Sequence, residues 1–113
     1  MANVFVNKKV DLTSDATTTL YTVPTATTAI IKSILVSDDS GSGSSITITL
    51  TNTSDAVFSV AFQKVIQANE PTEILTNPLV AEAGEIIKVA AANANRLHVI
   101  LSAMQVTPRT VTT

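Results

Sequence analysis

Hydrophobic and polar residues alternate along most of the chain, and the period is two rather than 3.6. Residues 45–52 place Ile46, Ile48 and Leu50 on one face and Thr47, Thr49 and Thr51 on the other. β-Branched side chains suit a pleated, half-buried surface, so this segment predicts a strand. Residues 57–66 repeat the pattern, with Phe58, Val60 and Phe62 opposed to Ser59, Ala61 and Gln63. Residues 96–106 set Leu97, Val99, Leu101 and Ala103 against His98, Ile100, Ser102 and Met104. Both faces of this last segment are largely apolar, which marks a central strand or one lying against a partner.

Shorter runs predict further strands at 4–10 (a strand or an arm), 18–23, 29–37, 72–75 and 85–91. Pro24 closes the second of these, because proline cannot donate to a ladder. Polar residues separate the runs. The stretch from Asp38 to Ser45 is a Ser/Gly loop, Asn52 to Asp55 forms a hairpin turn, and Asn93 to Asn95 links the last two long strands. Asn tolerates the left-handed conformation that such a turn requires. The best helical segment, 79–83, is too short to count. About eight strands with turns every 8–12 residues predict an all-β chain, a single antiparallel β-sandwich of jelly-roll or immunoglobulin-like kind. One domain over residues 1–113 follows, with a short N-terminal arm (1–10) and a C-terminal arm (107–113).

Composition adds one anomaly. Hydrophobic residues make up 45% of the 113, yet only 14% are charged, against about 25% in a typical soluble domain. Aromatics are 4% and Trp is absent, so the apolarity is aliphatic. Mean hydropathy is +0.35 and the isoelectric point is near 5.1. A free monomer uses charge to stay soluble, so a poorly charged surface predicts that part of it is covered. No run is long enough for a membrane span or a signal h-region. Lys8 and Lys9 are the only adjacent basic pair, and the net charge is -2. Nucleic-acid binding needs clustered Lys and Arg, or aromatic platforms, and is not expected. With no Cys, disulfides, thiolate zinc sites and thiol catalysis are excluded.

Candidate chemistry is sparse. His98 is the only histidine and sits mid-strand, so it reads as a structural or interface residue. No Gly-x-Ser-x-Gly elbow accompanies it, although a triad assembles in space rather than in sequence. Asp38, Asp39 and Asp55 raise a calcium site, but the later acidic ligand of an EF-hand is missing, and a solvated loop is the plainer reading. Asn52-Thr53-Ser54 matches a glycosylation sequon without a secretory context. Thr47, Thr49, Thr51 and Thr53 form a row such as ice-binding faces carry, yet no internal repeat supplies the further rows. Sugar-binding sandwiches use exposed Trp or Tyr, and Tyr21 stands alone. The residues therefore predict no enzyme, no cofactor, no metal and no small-molecule substrate.

Three stretches carry a resemblance. They are Thr19 to Ser37 (TLYTVPTATTAIIKSILVS), Pro78 to Val89 (PLVAEAGEIIKV) and Asn95 to Val106 (NRLHVILSAMQV). Together they resemble small virion structural proteins of tailed bacteriophages, especially phages of cyanobacteria and other aquatic bacteria. The resemblance implies a place on the head as cement or decoration, or in the neck or tail. It implies no catalytic residues. The expectation that follows is a capsid cement protein made in the host cytoplasm and located on the outer capsid surface. Its partners would be the major capsid protein and itself, as a homotrimer or homodimer. The alternative is a neck or tail adhesion module that contacts a host receptor or glycan. The expected contact residues lie in the two arms: Val4, Phe5 and Val6, and Pro108, Arg109 and Val111.

Overall fold

The computed structural model describes residues 2–107. The described chain is all strand and connection: β1 (Ala2–Asp11), β2 (Thr18–Thr22), β3 (Thr28–Asp38), β4 (Ser44–Thr51), β5 (Val57–Ile66), β6 (Pro71–Glu73), β7 (Leu79–Ala81), β8 (Ile86–Ala91) and β9 (Leu97–Thr107). No helix among the described residues is long and apolar enough to cross a membrane.

The pairing is nested. β4 pairs with β5, β3 with both β6 and β7, β2 with β8, and β1 with β9, all antiparallel. The chain is thus one long folded-back hairpin. Rolling it brings β9 against β3 and β8 against β4. Two sheets result, ordered β1-β9-β3-β6 (with β7 also on β3) and β2-β8-β4-β5. This order is the jelly-roll solution of the two that the sequence left open.

Nine strands stand where about eight were expected, because the partner of β3 is broken in two. β6 covers Leu35 to Ser37, and β7 covers Ala29 to Ile31. Between them β3 bulges, with a register shift between Ile31 and Ser33. The Glu73 carboxylate fills the gap. It accepts from Ile34 N at 2.9 Å and Leu75 N at 3.2 Å, and from the Ser33 hydroxyl. A side chain here replaces the ladder at Ile34 N, and Ile34 O accepts from Ile74 N at 2.9 Å. The segment 79–83, set aside above as too short a helix, supplies β7.

The core lies between the sheets. Ile31, Ile34 and Val36 of β3 and Leu97, Val99 and Leu101 of β9 point inward from one sheet. Ile46 and Ile48 of β4, Ile87 and Val89 of β8 and Tyr21 of β2 face them from the other. Period two predicts these inward positions on β4, β8 and β9. On β3 alternation groups Ile30 with Ile34 and Val36 and sets Ile31 with Leu35 on the other side, but the bulge between Ile31 and Ser33 changes the phase, so Ile31 is buried and Ile30 faces out. One polar link crosses the interior, from Gln105 Nε2 to the Tyr21 hydroxyl at 2.7 Å. Asn95 takes φ 62° in the β8–β9 turn, and its N–H donates to Leu12 O at 2.8 Å.

Residues 2–10 are not a detached arm. Ala2 to Asp11 pair with Thr107 to His98 over ten consecutive positions without a register shift. The segment read above as a strand or an arm is a full edge strand.

Candidate interaction surfaces

His98 leaves β9 on the outer face and lies between two carboxylates. Its Nε2 is 3.2 Å from Asp11 Oδ1, and its Nδ1 is 3.6 Å from Asp39 Oδ2. Asp11 is placed by the β1–β9 register, and Asp39 by the loop after β3. A hydrolytic relay needs one imidazole nitrogen on a carboxylate and the other on a nucleophilic hydroxyl. Here the second nitrogen meets a second carboxylate. The two acids also sit on opposite sides of the ring, and no group of three or more His, Asp or Glu among the described residues is arranged to hold a metal. A shallow hollow of about 280 Å³ adjoins the histidine, lined by Lys9, Val10, Asp11, Val99 and Ile100. The arrangement ties the end of β1 to the β3–β4 loop.

Asp38 serves the loop itself. It is buried, and one oxygen accepts from Ser40 Oγ at 2.6 Å and Ser40 N at 2.8 Å. The other accepts from Gly43 N at 2.7 Å and Asn69 N at 3.4 Å. Its pKa is lowered from 3.8 to about 2, chiefly by the Ser40 hydroxyl; burial pushes the other way, and the backbone N–H groups add to the lowering. Gly43 takes φ +71°, and a Cβ there would stand 3.0 Å from Ile66 O. The carboxylate is thus committed to the chain's own donors. Asp55 lies at the far end of β4, about 25 Å away by strand rise, so the three acids considered for calcium do not meet.

The threonine row is also accounted for. Thr47 Oγ1 accepts from Gln63 N at 3.1 Å, inside a bulge where Gln63 takes φ 51°. Thr51 is buried, and its Oγ1 has no hydrogen-bond partner. A row with one hydroxyl engaged and another covered is no flat hydroxyl lattice. Asn52 Oδ1 accepts from Ser54 N and Ala56 N, each at 2.9 Å, so the sequon asparagine holds the β4–β5 turn.

What remains exposed and unexplained is apolar. On the outer face of the β1-β9-β3 sheet, Phe5 pairs with Met104, Met104 with Ile30, and Ile30 with Val80. Paired residues point to one face, so these four form a continuous row across four strands. Phe5 is 74% exposed and Val80 55%, while Ile30 and Met104 are half-buried. Two rows further along, Lys9, Ile100, Leu35 and Glu73 form a parallel row.

The second apolar surface is β5. The alternation of residues 57–66 predicted a half-buried strand, and the structure differs. Val57, Phe58, Phe62 and Val65 are all more than half exposed. Two facts cause this. β5 is the edge of its sheet, so nothing covers its margin. Two register shifts against β4 also break the alternation, so Phe58 and Phe62 do not share a buried face.

Of the expected contact residues, Phe5 lies in the outward row. Val4 is 52% exposed, but it shares the inward side with Gln105 at the end of the core. Val6 packs against the core. Pro108, Arg109 and Val111 lie outside the described residues. Sequence reading missed Ile30, Met104 and Val80. The available signal was apolar residues on both faces of the strands around Ile30 and Met104, but matching them across strands required the register.

No protein-family model, no curated protein and no solved structure matches the chain.

Proposed function

We propose that the chain is a virion structural protein of a tailed bacteriophage, a cement or decoration subunit on the outer surface of the head. It is made in the host cytoplasm and performs no catalytic step. The observation that carries the reading is β5: a ten-residue edge strand with four exposed apolar side chains and one charge, Lys64. Isolated edges are normally protected by charge or by a cover. An apolar edge on a chain with only 14% charged residues suits a domain that spends its life covered.

The mechanism is additive burial against the major capsid protein. A contact of about 1,600 Å² is a standard stable interface. Repeated by symmetry over a shell, many such contacts stabilise neighbouring subunits without chemistry. Free protein in excess adds to the stability of the bound shell by mass action.

Deleting residues 2–9 is a poor test, since it strips β9 of its ladder partner. Point substitution on β5 leaves the ladders intact. Phe62→Lys is expected to reduce the amount of protein retained on purified particles, with an unchanged melting temperature. Undiminished occupancy overturns the assignment of β5. Particle imaging tests the location. Many symmetric copies over the head agree with cement, whereas about six or twelve copies at one vertex would place the chain in the neck or tail.

A further inference from the structure

The outer face of the β1-β9-β3 sheet carries two rows whose chemistry is complementary to itself. The first runs Phe5, Met104, Ile30, Val80 and is apolar throughout. The second lies about 14 Å further along the strands and runs Lys9, Ile100, Leu35, Glu73. Its two ends carry opposite charges, and its centre is apolar.

Each row therefore has a β1 end and a β6 or β7 end, with β9 and β3 between. A two-fold axis parallel to the strands, placed between β9 and β3 in front of the face, exchanges these ends. Phe5 then meets Val80 of a second copy, and Met104 meets Ile30. In the second row, Lys9 meets Glu73 of the other copy. The large ring faces the smaller side chain, and each charge faces its opposite. An isologous interface demands such self-complementarity. The negative end is also fixed in position, because Glu73 is held by Ile34 N and Leu75 N.

We propose that this face is a homodimer interface, with the two copies packed sheet on sheet about an axis parallel to the strands. Twisted sheets pack aligned to within about 30°, and their rows stay in contact at that angle. The patch spans four strands, about 20 Å, which is the core of a standard interface rather than the whole of one, so a micromolar dimer is expected. The inference does not depend on the virion reading. Particle binding through β5 and self-association through this face fail separately.

The test is sedimentation equilibrium of the full chain over about 1–200 μM. The expected species has twice the 11.8 kDa chain mass. Phe5→Asp and Val80→Asp are each expected to weaken the dimer about 100-fold, because each buries a charge against an apolar side chain of the other copy. Lys9→Glu, which sets like charges opposite each other, weakens it about tenfold. Phe58→Asp on β5 leaves it unchanged. All four side chains are exposed, so an unchanged melting temperature checks that the variants fold. A monomer at every concentration overturns the proposal, and so does a dimer indifferent to both Phe5→Asp and Val80→Asp.

The axis is tested by cross-linking, which the cysteine-free chain makes clean. Phe5→Cys mixed with Val80→Cys should be joined by a short bis-thiol reagent. Phe5→Cys alone should not, since its two copies sit about 14 Å apart across the strands, three strand spacings. Self-linking as efficient as the mixture overturns the parallel axis.

Discussion

The edge strands β1 and β5 are both ten residues long, and they protect themselves in opposite ways. β1 runs in unbroken register with β9 and carries Lys8, Lys9 and Asp11. β5 has two register shifts against β4 and a single charge, Lys64. Charge on a regular edge discourages another strand from adding to it, and bulges twist an edge away from such a partner. Both devices block strand addition, but the bulged edge leaves four exposed apolar side chains spread along its length, whereas β1 leaves Val4 and Phe5 near its start. The difference separates two kinds of adhesion: sheet-face packing beside β1 and side-chain packing along β5.

The largest test of that comparison asks whether the two edges rest on equally cooperative interiors. Leu101→Ala behind β1 and Ile48→Ala behind β5 each empty a fully buried site. Each is expected to lower stability by about 3 kcal/mol, read from denaturant unfolding. A much smaller loss for Ile48→Ala would mean that β5 frays apart from the cooperative unit.

Asp38 provides the next test, because it joins the β3–β4 loop to Asn69, just after β5. Its pKa is depressed in the folded state, so its contribution is full above the unfolded value of 3.8 and is lost as pH falls through about 2. Asp38→Asn should therefore melt earlier than the parent at pH 5 to 7, and the gap should close as the pH approaches 2. A gap that stays constant down to that pH would show that the carboxylate's charge does not hold the loop.

Thr51→Val sharpens the comparison beside β5, where Thr51 pairs with Val57. The buried hydroxyl lacks a partner. Removing it without changing shape should stabilise the chain by about 1 kcal/mol, measured as a higher denaturant midpoint. Destabilisation would reveal a partner for that hydroxyl.

The smallest effects on stability belong to the exposed rings themselves. Phe5→Ser and Phe62→Ser should each change stability by less than about 0.5 kcal/mol. They should act on association instead, Phe5→Ser on self-association and Phe62→Ser on particle retention. A reversal of those two outcomes would exchange the roles of the two surfaces.

Much of the fold was legible in the sequence because a strand's burial pattern has period two. Residues 57–66 were placed to the residue, and the ends of β3, β4 and β9 to within one. The failures share a cause. β7 was missed because three residues give too short a pattern to read. Phe58 and Phe62 were read as inward because alternation shows that a strand has two faces, not whether anything covers them. The outward row was hidden because its members are 25, 50 and 24 residues apart in succession along the chain, from Phe5 to Ile30, Val80 and Met104. The asparagine turns were readable because Asn95 needs only its own backbone preference to adopt φ 62°.

By itself the sequence determined the class of fold, the inward positions of β9 and of Ile46 and Ile48 on β4, the aliphatic character of the core and the shortage of charge. Each of these depends on residue type and local spacing, which the chain carries regardless of its partners. Tertiary structure alone decided the nested strand order, the split of β6 from β7 by Glu73, the edge position of β5 and the alignment of Phe5, Met104, Ile30 and Val80. Those depend on which strands meet and in what register, and register is set by the packing of the whole sandwich rather than by any one segment.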